Sequence, residues 1–272
     1  MKNIVTITFN PAIDKTISVE RLIATHKMKT NEPIYFAGGG GVNVSRAIQN
    51  LGYSSRAIYF EGGKTGAFFS TILAATKVDA ISIGISGDTR ENFIVKEMLT
   101  GKQFRFGLPG PMITATEISS LLHNLTLMKR IDYLVVSGSL TPFIPSNIFV
   151  QLKEIADLKR AKLVVDTSGD ALRSALDCNP FLIKPSLREL AHVAGKKRIN
   201  VTSAIHIAKD MALSGKCEVV VISMGNLGAM LITADLVVKV TAPKVQVIST
   251  VGAGDSMLAG ILISTLQRST MQ

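Results

Sequence analysis

The second half of the sequence alternates helical segments with short, continuously apolar segments. The apolar segments are rich in Val, Ile and Leu and lie at residues 133–136, 162–166, 181–183 and 218–223. Segments with helical periodicity lie between and beside them, at residues 116–128, 146–158, 187–193 and 202–214. Strands that are apolar on both faces and are joined through helices require a mainly parallel sheet with helices on both sides. The sequence therefore predicts an α/β fold.

The first part of the chain departs from this pattern. A buried strand is predicted at residues 4–9, and it ends at Asn10-Pro11 because proline interrupts the ladder. Helices are predicted at residues 42–51 and 65–75, with a strand at 55–60 between them. Half-exposed strands are predicted at residues 16–22, 33–36, 81–85, 93–98 and 103–106. The last three of these segments alternate as strands with one exposed face do, which suits a small sheet apart from the main one.

Composition excludes several classes of protein. Hydrophobic residues make up 47% of the 272 residues and charged residues 18%, which excludes a disordered chain. The apolar runs are shorter than the roughly 18 residues that a membrane span needs. The amino terminus lacks the pattern of a secretory signal, so a cytoplasmic protein is expected. The two cysteines, Cys178 and Cys217, are far apart and suggest neither a disulfide framework nor a zinc cluster.

The formal net charge of +10 raises the question of nucleic-acid binding. Basic residues are scattered along the chain apart from short runs such as residues 196–198, and no aromatic residues are interleaved with them. Anionic small-molecule substrates explain the same charge with fewer assumptions. We therefore expect no nucleic-acid partner.

Two glycine-rich stretches lead into predicted helices. The run TVGAGDS, at residues 250–256, is followed at once by the apolar residues 257–263. Glycines there leave backbone N–H groups bare at a helix start, and such groups attract anions. Asp255 lies beside them as a proton acceptor, which suits transfer of a phosphoryl group. An ordinary strand-to-helix turn with Asp255 near the N-cap is the structural alternative.

The second stretch is GGGGVNVSRA, at residues 38–47. Three common glycine motifs fail to explain the pair. GGKT at residues 62–65 lacks the first glycine of a P-loop, because that position is Ile58. No G-x-G-x-x-G unit opens the chain, and Ser256 lacks the second glycine of a hydrolase elbow. Phosphoryl transfer without a P-loop is the chemistry that remains.

Together, GGGGVNVSRA and TVGAGDS resemble the two signature regions of the PfkB (ribokinase-like) carbohydrate kinases. The resemblance covers nearly the whole chain. It implies a ribokinase-like fold in which residues 1–272 form one kinase domain, with a β-sheet lid at about 15–36 and 88–107. Family members usually run some tens of residues beyond this last helix, whereas the sequence stops at Gln272.

The resemblance also implies roles for individual residues. Asp255 is similar to the family's catalytic base, and the N–H groups of Gly252, Ala253 and Gly254 are similar to its anion hole. The implied sugar contacts are Asp14, Lys27, Gly39, Gly40, Asn43, Arg90, Arg105 and Ser139. Among them, Lys27, Arg90 and Arg105 match the phosphate-contacting positions of the bacterial minor 6-phosphofructokinases. This match favours a sugar that already carries a phosphate.

On the nucleotide side, the implied contacts are Lys184, Ser186, Ser223, Gly225, Gly228 and Thr250. KPSLRE at residues 184–189 falls where the family carries its N-x-x-E motif, whose glutamate, here Glu189, is linked to the water shell of Mg²⁺. Asp166 also lies where the family contacts nucleotide or metal. Since Ser186 replaces the asparagine, we expect weaker metal handling. ATP and Mg²⁺ are the expected cofactors, with a monovalent cation as a further expectation.

The resemblance predicts an ATP-dependent kinase that phosphorylates the C1 hydroxyl of a ketohexose phosphate. Fructose 6-phosphate is the most specific expectation. Tagatose-6-phosphate kinase and 1-phosphofructokinase share nearly the same pattern and remain open. Ser186 and the end at Gln272 motivate an alternative of another class, a degenerate member that binds sugar phosphate or nucleotide without turnover. A homodimer is expected, because lid strands in this family often pair between subunits.

Overall fold

The strands and helices are known from a computed structural model, which describes residues 3–141, 144–145, 147–246 and 251–268. The strands are β1 (Ile4–Thr8), β2 (Ala12–Val19), β3 (Ile34–Gly38), β4 (Arg56–Glu61), β5 (Asp79–Gly84), β6 (Arg90–Glu97), β7 (Gln103–Gly107), β8 (Tyr133–Ser137), β9 (Lys162–Asp166), β10 (Leu182–Ile183), β11 (Val219–Ser223), β12 (Ala229–Ile232) and β13 (Val237–Val240). The helices are α1 (Gly40–Asn50), α2 (Gly63–Ala74), α3 (Ala115–Leu127), α4 (Ile148–Lys159), α5 (Gly169–Leu176), α6 (Leu187–Val193), α7 (Val201–Leu213) and α8 (Ala253–Arg268). No helix in these ranges is long and apolar enough to cross a membrane.

A nine-stranded sheet forms the body of the protein, with the order β13-β12-β11-β10-β9-β8-β1-β4-β5. Neighbouring strands from β11 to β5 are parallel, and β12 and β13 extend one edge in antiparallel fashion. This confirms the predicted, mainly parallel sheet. The expectation for residues 81–85 was wrong, since that segment belongs to β5 and pairs with β4 at the other edge of this sheet. An edge strand is only partly covered, so it alternates in the same way as a lid strand.

Alternate residues of the central strands point into two cores on opposite faces of the sheet. In β1, Val5 and Ile7 pack into the core that α3, α4 and α5 cover, whereas Ile4 packs into the core covered by α1 and α8. Each fully buried Leu or Ile side chain stabilises the fold by about 1.5–3 kcal/mol. Because α1 and α8 share one face of the sheet and pack together, the two glycine-rich stretches meet there.

A separate four-stranded sheet has the order β3-β2-β6-β7, and its strands overlap the ranges expected for a lid. Residues that pair directly across strands project on the same side of a sheet. Asp14 pairs with Phe36 of β3 and with Asn92 of β6, so these three side chains share one face. By the same register, Arg90 and Arg105 also lie on that face. The opposite face packs against α2.

We predict that Gly40→Ala destabilises the protein. A Cβ on Gly40 would lie 2.4 Å from the backbone nitrogen of Gly138, so α1 would have to move away from the sheet. Overpacking of this kind typically costs about 1–3 kcal/mol. Gly260→Ala in α8 is the matched control, because its Cβ would meet no atom within 4 Å, and it should stabilise by about 0.5–1 kcal/mol. Urea unfolding of both variants tests this, and equal effects would contradict it.

Candidate active site

Helix α8 begins where the sequence predicts the anion-binding turn. Gly252 has φ +76°, in the left-handed region that glycine tolerates best, and its carbonyl accepts the Ser256 N–H at 2.8 Å. Ala253 is the first helical residue. A Cβ on Gly254 would lie 3.1 Å from the Lys184 amine, so the amine lies beside the first turn. A helix amino end next to a cation favours the binding of an anionic group.

The Asp255 carboxylate lies in this first turn and is half-buried. Asn43 Nδ2 donates to its Oδ2 at 2.8 Å, and the Ser137 hydroxyl lies 3.5 Å from its Oδ1. Burial raises the pKa of Asp255, and this rise is opposed by the Asn43 hydrogen bond and by the positive charge of Lys184. Because desolvation favours the protonated form, this carboxylate accepts a proton more readily than one in water.

Glycines allow α1 to present Asn43 to Asp255. Gly39 has φ +124°, and Gly40 lies against the loop after β8 with no space for a side chain. The hydroxyl of Thr8 accepts the N–H of Val42 at 2.9 Å, which fixes the first turn to β1. The structure thus brings the predicted Gly39, Gly40 and Asn43 next to Asp255, and their contact with a sugar remains a prediction.

Asp166 and Lys184 form a buried ion pair beneath this site. Lys184 Nζ lies 3.1 Å from Asp166 Oδ1, and the two side chains are 7% and 14% exposed. Burial raises the pKa of Asp166 to about 6, even though Lys184 acts in the opposite direction. Asp255 and Glu189 add to the rise through their negative charges. The negative charges of Asp255 and Glu189 therefore disfavour the ionised form of Asp166.

The raised pKa of Asp166 predicts a specific pH dependence of stability. The folded protein binds this proton more tightly than the unfolded chain, so the contribution of Asp166 to the free energy of unfolding falls as the pH rises from about 4 to above about 6. For a shift of this size the fall is on the order of 3 kcal/mol.

We therefore expect Asp166→Asn to lose less stability than the parent between about pH 4.5 and about pH 8. Urea unfolding at both pH values measures the difference. Asp79→Asn is the control, because Asp79 is 56% exposed and pairs with Arg56 on the surface. If Asp166→Asn and the parent lost equal stability over this range, the pKa of Asp166 would not be raised.

The small sheet directs a carboxylate and two arginines to one face. Asn92 Nδ2 donates to Asp14 Oδ1 at 2.8 Å, and a Cβ on Gly38 would collide with the other carboxylate oxygen. Burial raises the pKa of Asp14, with the Asn92 hydrogen bond and the charges of Arg90 and Arg105 opposing the rise. A carboxylate beside two guanidinium groups is suited to bind a hydroxylated molecule that also carries negative charge.

Arg90 is held by the backbone around it. Its two terminal nitrogens donate to the carbonyl oxygens of Leu108 at 2.8 Å and Asn10 at 3.1 Å, and burial lowers its pKa. Asn10 Nδ2 donates to Ser139 Oγ at 3.3 Å, so Asn10 connects two predicted substrate residues. Lys27 lies on the exposed connection between β2 and β3, and among the described residues no hydrogen bond or ion pair joins it to the others.

The predicted nucleotide residues lie at the ends of β10 and β11. Ser186 and Glu189 form a capping box at the start of α6: Glu189 Oε2 accepts the Ser186 N–H at 2.7 Å, and Ser186 Oγ accepts the Glu189 N–H at 3.3 Å. This box is a structural reason for their spacing, and their contacts with nucleotide and metal remain predictions. Ser223 ends β11, and Gly225 and Gly228 have positive φ in the turn that follows. Thr250 lies outside the described residues.

The donor set near Lys184 fits a hydrated magnesium ion. Glu189 lies close enough to Asp166 to raise its pKa, and carboxylate oxygens are the ligands that Mg²⁺ prefers. Among the described residues, no three acidic, histidine or cysteine side chains gather around one point. An ion held here would therefore keep much of its water shell.

Three residues that hold the candidates in place were not among the predicted site residues. Arg46 donates to Asn43 Oδ1, and its spacing of three residues along α1 was a usable signal. Ser137 ends β8 and lies between Asp166 and Asp255. Asn92 supports Asp14 only through the register of β2 and β6, which the sequence does not encode in any local pattern.

Comparisons with known proteins place relatives of this chain among the phosphofructokinases. The chain is 36% identical over 261 residues to an ATP-dependent 6-phosphofructokinase isozyme 2 of Mycobacterium tuberculosis, covering 96% of this chain and 77% of the relative. It is 32% identical to a 1-phosphofructokinase of Bacillus subtilis, covering 95% and 84% of the two chains. It superimposes on the phosphofructokinase-2 of Escherichia coli in complex with fructose-6-phosphate with a TM-score of 0.93, at 32% identity, covering 98% and 88%. Another structure of that enzyme is in complex with potassium.

The sequence profile of the pfkB family carbohydrate kinases matches residues 7–272 of this chain. This match, the relatives and the large mainly parallel sheet with its smaller companion confirm the ribokinase-like fold that the two glycine-rich stretches implied. The chain belongs to the pfkB family of carbohydrate kinases.

Proposed function

We propose that the protein transfers the γ-phosphoryl group of ATP to the C1 hydroxyl of a ketohexose phosphate, with fructose 6-phosphate as the first candidate. The observation that carries this proposal is the Asp255 carboxylate, which lies at the amino end of α8, accepts a hydrogen bond from Asn43 and is close to Lys184. The relatives that phosphorylate fructose phosphates support the choice of substrate.

Asp255 takes the proton of the C1 hydroxyl as that oxygen forms its bond to the γ-phosphorus. The bond from the γ-phosphorus to the bridging oxygen breaks, and ADP leaves with that electron pair. The N–H groups of Gly252, Ala253 and Gly254 receive the negative charge that develops on the transferred group. Lys184 lies beside Gly254 and neutralises part of the same charge. The reaction thus requires positioning and charge stabilisation from this chain, and no covalent intermediate.

Asp166 and Glu189 would hold the hydrated magnesium ion, which would neutralise charge on the nucleotide phosphates. We extend the nucleotide site to Ser186, Ser223, Gly225, Gly228 and Thr250. Because the E. coli enzyme has a structure in complex with potassium, we propose that a monovalent cation also binds this chain. Because ATP is the proposed donor, we propose that the protein works in the cytoplasm.

On the sugar side, Asp14 and Asn43 would bind hydroxyl groups, and Gly39 and Gly40 would let the sugar approach the backbone. Arg90, Arg105, Ser139 and Lys27 would bind the phosphate at the far end. Guanidinium groups on one face of the small sheet support this role, because they offer paired donors to phosphate oxygens. This charge favours a phosphorylated sugar over a neutral one.

A coupled assay of ADP release tests the proposal with the purified chain. Fructose 6-phosphate, tagatose 6-phosphate, fructose 1-phosphate and unphosphorylated fructose are compared at equal concentrations with MgATP. We expect turnover with a ketohexose phosphate and little with fructose. Turnover with fructose 1-phosphate instead would identify a 1-phosphofructokinase. Thermal stabilisation by these ligands without ADP release would favour the degenerate, non-catalytic alternative.

We also propose a homodimer formed through the four-stranded sheet. Ile34 and Phe36 are 54% and 47% exposed on the face of that sheet that carries Asp14. A second copy of the sheet would remove these apolar side chains from water. Sedimentation equilibrium at micromolar concentration should give twice the chain mass, and Phe36→Asp should shift it toward the monomer. A parent that sediments as a monomer would contradict the proposal.

A further inference from the structure

Arg46 joins the helix that carries Asn43 to the small sheet. One terminal nitrogen of its guanidinium donates to Asn43 Oδ1 at 2.7 Å, and the other donates to the carbonyl of Ala37 at 3.2 Å. Asn43 lies one turn earlier on the same face of α1, and Ala37 belongs to β3. One half-buried side chain therefore connects the two structural parts that supply the candidate sugar contacts.

The contact with Arg46 determines which way the Asn43 amide points. A guanidinium group can only donate hydrogen bonds, so it selects the amide oxygen of Asn43. The amide nitrogen must then face Asp255, to which it donates at 2.8 Å. If the amide turned over, its NH₂ group would face the guanidinium and its oxygen would face the carboxylate. Both contacts would be repulsive, so the Arg46 contact holds the Asn43–Asp255 hydrogen bond in place.

The charge of Arg46 reaches both candidate carboxylates. It opposes the rise in the pKa of Asp255 and also the rise in the pKa of Asp14. A positive charge near a proposed base and a proposed sugar contact favours the ionised form of both. Arg46 thus contributes an orientation and a charge, and the two contributions can be separated by substitution.

We propose that Arg46 is a positioning residue for phosphoryl transfer, which fixes the Asn43 amide so that Asp255 is held as a proton acceptor and links this orientation to β3 of the small sheet. The inference rests on the kinase function proposed above. Arg46 itself is assigned no contact with the sugar or the nucleotide.

Two variants separate the contributions of charge and orientation. Arg46→Gln removes the charge, so kcat should fall by about 10-fold to 100-fold. The rise in KM for the sugar phosphate should be smaller than this fall. The acidic limb of kcat against pH should move to higher pH, because the base loses a stabilising cation. Arg46→Lys keeps the charge but cannot donate to both acceptors in the same geometry. Its kcat should be intermediate, with the acidic limb close to that of the parent.

Arg56→Gln is the matched control, because Arg56 makes a surface ion pair with Asp79. It should leave kcat and the pH profile unchanged, and melting temperatures establish that all variants are folded. A kcat for Arg46→Gln within about twofold of the parent, with an unmoved acidic limb, would overturn the inference.

A second readout does not depend on turnover. In protein labelled with ¹⁵N-asparagine, the Asn43 side-chain amide signal is assigned by its loss in Asn43→Ala. It should shift with pH as Asp255 titrates, and Arg46→Gln should raise the midpoint of that shift. If no sugar is phosphorylated but this response is observed, the proposed kinase function fails and the positioning of Asp255 by Arg46 stands. If the signal is insensitive to Arg46→Gln, the inference fails whatever the activity.

Discussion

Asp255→Asn is expected to reduce kcat for phosphorylation of the sugar by about 100-fold to 10,000-fold, the range typical for loss of a general base. Asparagine has nearly the same shape as aspartate, and its side-chain oxygen can still accept the hydrogen bond from Asn43 Nδ2. It cannot accept the proton of the attacking hydroxyl at neutral pH. The fold should therefore be retained while the chemical step is lost.

The measurement compares kcat and KM for each substrate in the parent and the variant, together with melting temperature. Asp157→Asn is the control, because Asp157 is 62% exposed and pairs with Lys153 on the surface of α4. KM for ATP should change much less than kcat, since Asp255 is assigned no role in holding the nucleotide. A variant that kept more than about a third of the parent kcat would remove Asp255 as the base.

The parts of the fold that the sequence predicts well are those with a strong local pattern. The continuous apolar runs that became β8, β9 and β11 lie within two residues of their predicted bounds. β13 was missed because all four of its residues are exposed, so it shows no alternation. α5 (Gly169–Leu176) was also missed. Local alternation also could not tell whether residues 81–85 belong to the large or the small sheet.

In the candidate site, too, the features with a local sequence pattern were predicted and those that depend on strand pairing were not. Glycine spacing indicated where α1 and α8 begin, and the Asn43–Asp255 hydrogen bond places both starts in one site. The support of Asp14 by Asn92 depends on which strands pair and in what register, and no local pattern encodes a pairing between strands 78 residues apart. The S-x-x-E spacing of Ser186 and Glu189 is itself a capping-box signal, whereas the resemblance assigned these two residues to the nucleotide and the metal.

Lys184→Met is expected to lower kcat by about 100-fold to 1,000-fold and to raise KM for ATP, because it removes a buried cation beside the anion-binding turn. The amine lies next to Gly254 and 3.1 Å from Asp166 Oδ1, so its loss also leaves Asp166 without its partner. Breaking a buried pair in this way typically costs about 3–5 kcal/mol. The cost should be smaller at acidic pH, where Asp166 is protonated, and larger at alkaline pH.

The double variant Lys184→Met with Asp166→Asn, compared with Asp166→Asn alone, separates the two consequences, because Asp166 is itself assigned to the magnesium ion. The double variant leaves no unpaired charge, so urea unfolding should show that stability is largely regained, while kcat should stay well below that of Asp166→Asn alone. Lys153→Met is the matched control, because it breaks an exposed lysine–aspartate pair whose loss should cost less than about 1 kcal/mol and leave kcat unchanged. If the double variant reached the kcat of Asp166→Asn along with its stability, Lys184 would act on the fold alone, and the charge at the start of α8 would have to come from elsewhere.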